Sequence, residues 1–248
     1  VPLAELQCTI DERGLHYRYV DVAIDREYGV ATLTASAPAT AEPGDLAGIR
    51  AAGAAWLPLA FARELDDALL MLRTNEPALG LLVIRTAGEA QNVVDVDRAL
   101  AAHGDHWFVR EVTGLLRRTL ARLEVTSRSI YGVVDRCSAF AGTLFELALA
   151  ADRTYMLADD GADAPHITLT EANFGAYPTV AGRSRLAVRF GDGAARIAAL
   201  RARTGQSLDA GTALALGLIT LAPDEIDWDD ELRLAVGGRV TLSPGALT

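Results

Sequence analysis

The sequence predicts an α/β domain, a largely parallel sheet flanked by helices. Two observations carry that reading. Apolar, β-branched runs at 79–84 and 128–134 read as strands covered on both faces. Segments with apolar residues at helical spacing lie between the strands, and strands alternating with helices favour parallel pairing.

In chain order, residues 1–17 are mixed and polar. Tyr17 to Ile24 alternates as a strand, Asp25 to Gly29 is a turn, and Val30 to Thr34 returns, forming an antiparallel entry hairpin. Ala35 to Gly44 is a loop. A long helix follows Pro58, with Phe61, Leu65, Ala68, Leu69 and Leu72 on one face. After strand 79–84, residues 86–97 form a loop or short helix. Asp105 to Val125 is a helix with Phe108, Val112, Leu115, Leu116, Thr119 and Leu123 on its apolar face. Strand 128–134 leads through a small-residue turn into an apolar helix starting near Thr143. Residues 153–157 are a strand, 159–165 a mobile acidic loop, and 166–169 a short strand. Helices follow near 180–190, 193–203 and 208–215. Residues 218–221 read as a last strand, and an acidic helix begins near Pro223. One domain spans 1–248, with a C-terminal helical region at 205–248.

Composition narrows the function. The chain has 248 residues, half of them apolar, so a sizeable core is available. Net charge is −10, and every basic residue is an arginine, which argues against general binding of nucleic acid or anionic membrane. No apolar run reaches about 18 residues, so no membrane span is expected. No secretory signal pattern opens the chain, and Cys8 and Cys137 make neither a disulfide framework nor a zinc set. The expected compartment is the cytoplasm. A first residue of Val1 rather than Met suggests a piece of a longer chain.

The strand–turn–helix at 128–152 is where chemistry is expected. A turn opening a helix presents free N–H groups at the positive end of the helix dipole, and such a corner can hold a negatively charged oxygen. Glu146 stands in the first turn of an otherwise apolar helix. It reads either as a reactive acid or as half of a Thr143-x-x-Glu146 capping box. A second acid, Glu171, ends a short strand before Phe174-Gly-Ala-Tyr-Pro178. That is a common catalytic position in α/β proteins, and also an ordinary place for a surface glutamate. If the fold joins them, the two acids can share acid and base roles.

Three other clusters have plainer readings. His103-Gly-Asp-His106 is a solvated helix start rather than a metal site, and no metal is expected. Acids at 224–231 suit a helix N-terminus. Gly182-Arg-Ser-Arg185 and Arg189 read as a solvated helix face. No phosphate loop, dinucleotide fingerprint or Ser/His/Asp set is present.

Ala139-Phe-Ala-Gly-Thr-Leu-Phe-Glu-Leu-Ala-Leu-Ala-Ala-Asp152 resembles the oxyanion turn of the crotonase (enoyl-CoA hydratase/isomerase) superfamily. Leu169-Thr-Glu-Ala-Asn-Phe-Gly-Ala-Tyr-Pro178 is similar to its second-acid loop. The resemblance implies the ClpP/crotonase spiral of ββα units. It implies Glu146 and Glu171 as catalytic acids, and Gly142 or Thr143 as one N–H of an oxyanion hole. Val93 or Val94 is then the nearest candidate for the other, and Phe140, Phe174, Gly175 and Pro178 would line the substrate.

Longer segments resemble one family of that fold, the benzoyl-CoA-dihydrodiol lyases, also called 2,3-epoxybenzoyl-CoA dihydrolases. These are Trp56-Leu-Pro-Leu, Arg63-Glu-Leu-Asp-Asp-Ala, Asp105-His-Trp-Phe-Val-Arg-Glu, Gly114-Leu-Leu-Arg-Arg-Thr-Leu-Ala-Arg, Thr170-Glu-Ala-Asn-Phe-Gly and Asp227-Trp-Asp-Asp-Glu. Family chains are about twice as long, with two crotonase-like halves, and this sequence resembles the second. The resemblance implies hydrolytic ring cleavage of 2,3-epoxybenzoyl-CoA, giving 3,4-dehydroadipyl-CoA semialdehyde and formate in aerobic benzoate degradation. It implies no cofactor beyond the coenzyme A of the substrate, a homo-oligomer, and a partner N-terminal half.

The sequence departs from the superfamily at two points. The usual consecutive glycines are Phe140-Ala-Gly-Thr143 here, and the loop after strand 79–84 reads Glu89-Ala-Gln-Asn-Val-Val-Asp-Val-Asp97. Three readings follow: a catalytic half with Glu146 and Glu171 facing an acyl-CoA, a non-catalytic companion half serving packing or dimerisation, or a stand-alone enoyl-CoA hydratase/isomerase. The first reading fails for this half if the two carboxylates lie far apart or if the Gly142 and Thr143 N–H groups are bonded to protein.

Overall fold

The computed structural model describes residues 2–191 and 193–240. Its main sheet has seven strands, side by side in chain order: β1 (Thr9–Ile10), β2 (Gly14–His16), β3 (Val20–Asp25), β4 (Val30–Ser36), β5 (Leu81–Ala87), β6 (Ser129–Val134) and β7 (Arg153–Met156). β1 to β4 pair antiparallel and β4 to β7 parallel. The entry hairpin forms as expected, with Val20 opposite Ala35. Two short strands precede it that the polar residues 1–17 did not suggest, because a strand of two or three residues carries too little alternation to detect.

The helices are α1 (Leu46–Ala52), α2 (Leu57–Asn75), α3 (Ala90–Ala102), α4 (Trp107–Arg122), α5 (Gly142–Leu149), α6 (Arg185–Phe190), α7 (Ala194–Arg201), α8 (Ala210–Ala215) and α9 (Trp228–Val240). Asp45 caps α1, which lies just past the expected loop. Residues 86–97 hold most of a full helix, α3, rather than a loop or short helix. The strand expected at 218–221 is absent as a strand: Leu221 makes only a single bridge to Tyr155. Instead β8 (Ile167–Thr168) pairs antiparallel with β9 (Ser207–Leu208). The expected 205–248 region contains β9, α8 and α9, and its residues 241–248 lie outside the described ones.

One face of the sheet packs against α2 to α5 in the main core, where Trp56, Leu65, Leu82, Ile84, Phe140 and Phe145 are closed to solvent. Burying each such side chain stabilises by roughly 1.5–3 kcal/mol. The opposite face presents Val30, Leu81, Val83, Tyr131, Val133 and Tyr155, and Trp228, Leu232, Ala235 and Val236 of α9 cover it. Strands β5 and β6 are buried nearly throughout because both faces are covered, as their unbroken apolar runs require. Among the described residues, no helix is long and apolar enough to cross a membrane.

Candidate active site

The turn between β6 and α5 is pinned from both sides. The Asp135 N–H donates to Ser138 Oγ at 2.9 Å, and the Ala139 N–H donates to Thr86 Oγ1 of β5 at 2.9 Å. Ala141 then takes an extended conformation as the residue before α5, and its side chain offers no cap. Gly142 has φ +40°, and a Cβ there would overlap Asp97 Oδ2 and lie 2.7 Å from Thr170 Oγ1. Only glycine fits, because the backbone turns left-handed and a carboxylate lies against it.

That carboxylate decides the chemistry of the corner. The Thr143 N–H donates to Asp97 Oδ2 at 2.9 Å, the Thr143 hydroxyl donates to Asp97 Oδ1, and the Thr170 hydroxyl donates to Asp97 Oδ2 at 2.7 Å. Tyr177 places its hydroxyl 2.9 Å from Thr143 Oγ1. The corner does hold a negatively charged oxygen, but the protein supplies it. The implied role of Thr143 as a free oxyanion donor is therefore corrected for this conformation. Val93 is the fourth residue of α3, so the helix takes up its N–H, and its side chain is buried in the core. Desolvation pushes the Asp97 carboxyl up to about 6, against the lowering effect of its three hydrogen bonds.

Glu146 is 1% exposed and makes no capping box; the helix starts at Gly142, two residues earlier than that pattern needs. Its Oε1 accepts from Asn173 Nδ2 at 2.8 Å and its Oε2 from Arg185 Nη1 at 2.8 Å. Burial raises its carboxyl to about 7, with the Arg185 charge and the Asn173 hydrogen bond pulling the other way. Arg185 overturns the expected solvated face. It is buried, and it also donates to the Tyr177 and Leu120 carbonyls and to Glu124. Arg189 likewise turns in, to the Leu218 carbonyl at 3.0 Å.

The capping box forms elsewhere. Thr170 and Asn173 exchange reciprocal bonds around the 3-10 turn Glu171–Phe174. Asn173 also donates to the Gly142 carbonyl at 2.9 Å, so this turn is tied directly to the start of α5. Glu171 points outward and pairs with Arg201, which stacks over the Phe174 ring at 4.4 Å. The two expected acids thus take different partners, one inside the protein and one at its surface.

A cavity of about 570 Å³ adjoins the corner. Its walls come from α3 (Val94, Asp97), α4 (Arg110, Arg117) and the loop carrying Thr170, Glu171 and Tyr177. Of the expected substrate-lining residues, Phe140 is wholly buried in the core, and Phe174, Gly175 and Pro178 lie outside the cavity wall. Glu146 stands behind the wall, and Glu171 is on it.

Asp97, Thr170, Asn173, Tyr177 and Arg185 are the site residues sequence reasoning missed. Asp97 had a signal: it falls on the same helical face as Val93, Val96 and Leu100, an acid on an apolar stripe. The Thr170-x-x-Asn173 spacing also signalled the cap. Arg185 had none. His106 caps α4 and His103 Nε2 meets the Gly44 carbonyl at 2.9 Å. Asp224 Oδ1 accepts from the Ile226 and Asp227 N–H groups, ahead of α9.

No family model matches the chain. It is 49% identical over 249 residues to the benzoyl-CoA-dihydrodiol lyase of Aromatoleum evansii; the match covers 100% of this chain and 44% of that protein. The chain therefore spans less than half the length of that relative. Its fold is shared with solved structures at low identity. Pseudomonas aeruginosa AtuE matches at a TM-score of 0.62 and 21% identity, covering 93% of this chain and 80% of that one. An enoyl-CoA hydratase from Bacillus anthracis matches at 0.61 and 16%, with coverage of 93% and 80%. Human mitochondrial delta3-delta2-enoyl-CoA isomerase matches at 0.59 and 15%, with coverage of 92% and 80%.

Proposed function

Taking the chain as what these findings make it, a crotonase-fold relative of benzoyl-CoA-dihydrodiol lyase, we propose that it is one half of an enzyme cleaving the ring of 2,3-epoxybenzoyl-CoA. The products would be 3,4-dehydroadipyl-CoA semialdehyde and formate, made in the cytoplasm during benzoate breakdown. The observation that carries this reading is the 49% identity to that lyase along the whole chain. Coenzyme A enters as part of the substrate, and the reaction so read draws on no other cofactor. The remaining half, and further copies of the enzyme, are the partners this reading calls for.

Within this half the cavity beside α3 and α4 is the place for the aromatic acyl group. It has apolar walls at Val94, Leu100 and Leu169, arginines at its rim, and the acids Asp97 and Glu171 on its surface. Glu171 is the exposed acid, free to reach a ligand once Arg201 lets go. Glu146, paired with Arg185, holds the wall together rather than touching substrate.

One observation favours a second reading, a companion half that shapes a site carried by the rest of the enzyme. The Thr143 N–H that would receive a thioester oxygen is already bonded to Asp97. The complete enzyme decides between the two. Formate release from 2,3-epoxybenzoyl-CoA is expected, and its absence sinks the proposed activity. Glu171→Gln lowering turnover at least tenfold places chemistry in this half; unchanged turnover supports the companion.

A further inference from the structure

The cavity wall carries a chain of hydroxyls that ends on a buried acid, and the direction of that chain is fixed. Thr143 has one hydroxyl proton and gives it to Asp97 Oδ1. In its 2.9 Å contact with Tyr177, Thr143 must therefore accept, and Tyr177 must donate. The order is Tyr177 to Thr143 to Asp97. Tyr177 and Asp97 both line the cavity, and Thr143 joins them from behind. The Tyr177 oxygen, having given its proton inward, keeps lone pairs that can accept a proton from a molecule in the cavity.

Asp97 differs from the other buried acid in its partners. Glu146 is neutralised by Arg185 at 2.8 Å. Asp97 has three neutral donors, the Thr143 N–H and the Thr143 and Thr170 hydroxyls, and no ion pair among the described residues. Asp97 is also the one of the two that lines the cavity, where a proton can reach it through the hydroxyls. The charged or titratable groups around it are Arg98 on its own helix, Arg110 and Arg117 on α4, Glu146 on α5, held by Arg185 of α6, and Glu171 and Tyr177 on the loop.

We infer that Asp97, acting through Thr143 and Tyr177, is the general base of this cavity, and that it activates one of the waters added to an epoxide. In the step, a water O–H bond breaks and its proton moves to Tyr177 as the Tyr177 proton moves to Thr143 and the Thr143 proton to Asp97. The water oxygen forms a bond to an epoxide carbon. The epoxide C–O bond breaks and its electron pair stays on oxygen. That alkoxide then takes a proton back along the same chain, which restores the Asp97 carboxylate and leaves net addition of one water. This inference rests on the epoxide reading above.

The simpler alternative is that Asp97 only latches α3 to α5. The two differ in what each variant does in the complete enzyme. Tyr177→Phe removes one oxygen and no part of the latch on Asp97. The relay predicts a loss of turnover of about 100-fold or more, the size expected of a lost general base, with KM within about threefold of wild type. Asp97→Asn should lose turnover similarly and also remove the acid limb of the pH–rate profile. Turnover of Tyr177→Phe within threefold of wild type overturns the relay, whether or not Asp97→Asn folds. An acid limb that survives in a folded Asp97→Asn enzyme overturns it too. Wild-type enzyme that releases no formate overturns the functional reading, and the relay with it. Active wild type with unaffected variants removes the relay alone.

Discussion

Arg185 Nη1 stands 2.8 Å from Glu146 Oε2, with the two side chains 3% and 1% exposed. The pair joins α6 to α5 across the interior, and the two Arg185 Nη groups also donate to the Tyr177 and Leu120 carbonyls and Glu124, while its buried Nε finds no partner among the described residues. Neither charge has water to fall back on. Removing one partner strands the other, which typically costs about 3–5 kcal/mol, whereas replacing both with apolar groups is far milder. Urea unfolding should therefore show Arg185→Met strongly destabilised and Glu146→Leu/Arg185→Met partly restored. A single variant within about 1 kcal/mol of wild type would contradict this account.

Stability should fall as pH rises from about 4 to about 7. Burial raises the Asp97 carboxyl from 3.8 to about 6 and that of Glu146 from 4.5 to about 7. In that window the folded chain holds protons that the unfolded chain has released, so each upward step in pH favours unfolding. Burial raises Glu64 as well, which adds in the same direction. Asp11, Asp159 and Asp209 are lowered and act below the window. Melting temperatures taken from about pH 5 to pH 8 should decline, and Asp97→Asn should flatten part of the decline. A rise across this range would refute the assignment.

Gly142→Ala should destabilise by about 2 kcal/mol or more, since it adds left-handed strain to a direct clash with Asp97. Gly182→Ala is the control: its φ is +77°, but open space surrounds it, so strain of about 1 kcal/mol is all it should show. Equal losses at the two positions would mean that Asp97 moves aside freely.

Glu171→Gln should leave stability nearly unchanged. The Glu171 and Arg201 side chains are 57% and 49% exposed, and such surface pairs contribute about 0–1 kcal/mol. Thermal melting of the variant should match wild type, which makes it a clean probe of turnover. A large drop in melting temperature would show that Arg201 and Phe174 depend on it structurally.

The strands at 79–84 and 128–134 and the helix at 105–125 were legible because their apolar spacing is a property of the segment itself. The corner before α5 was legible for the same reason: small residues and a glycine lead into an apolar run. The length of α3 was obscured because Asp97 interrupts its apolar face. The last strand was misplaced because Leu218 and Ile219 are buried in the core without joining a ladder.

By itself the sequence determined the α/β class, the order of most elements and the position of the strand-to-helix corner, all set by periodicity and turn chemistry within a few residues. Only the tertiary structure decided what sits in that corner. Asp97 reaches Thr143 across 46 positions and Thr170 across 73, and Arg185 reaches Glu146 across 39. Such pairings arise when burial excludes water and every charge brought inside must find a partner. No local spacing encodes which partner that will be.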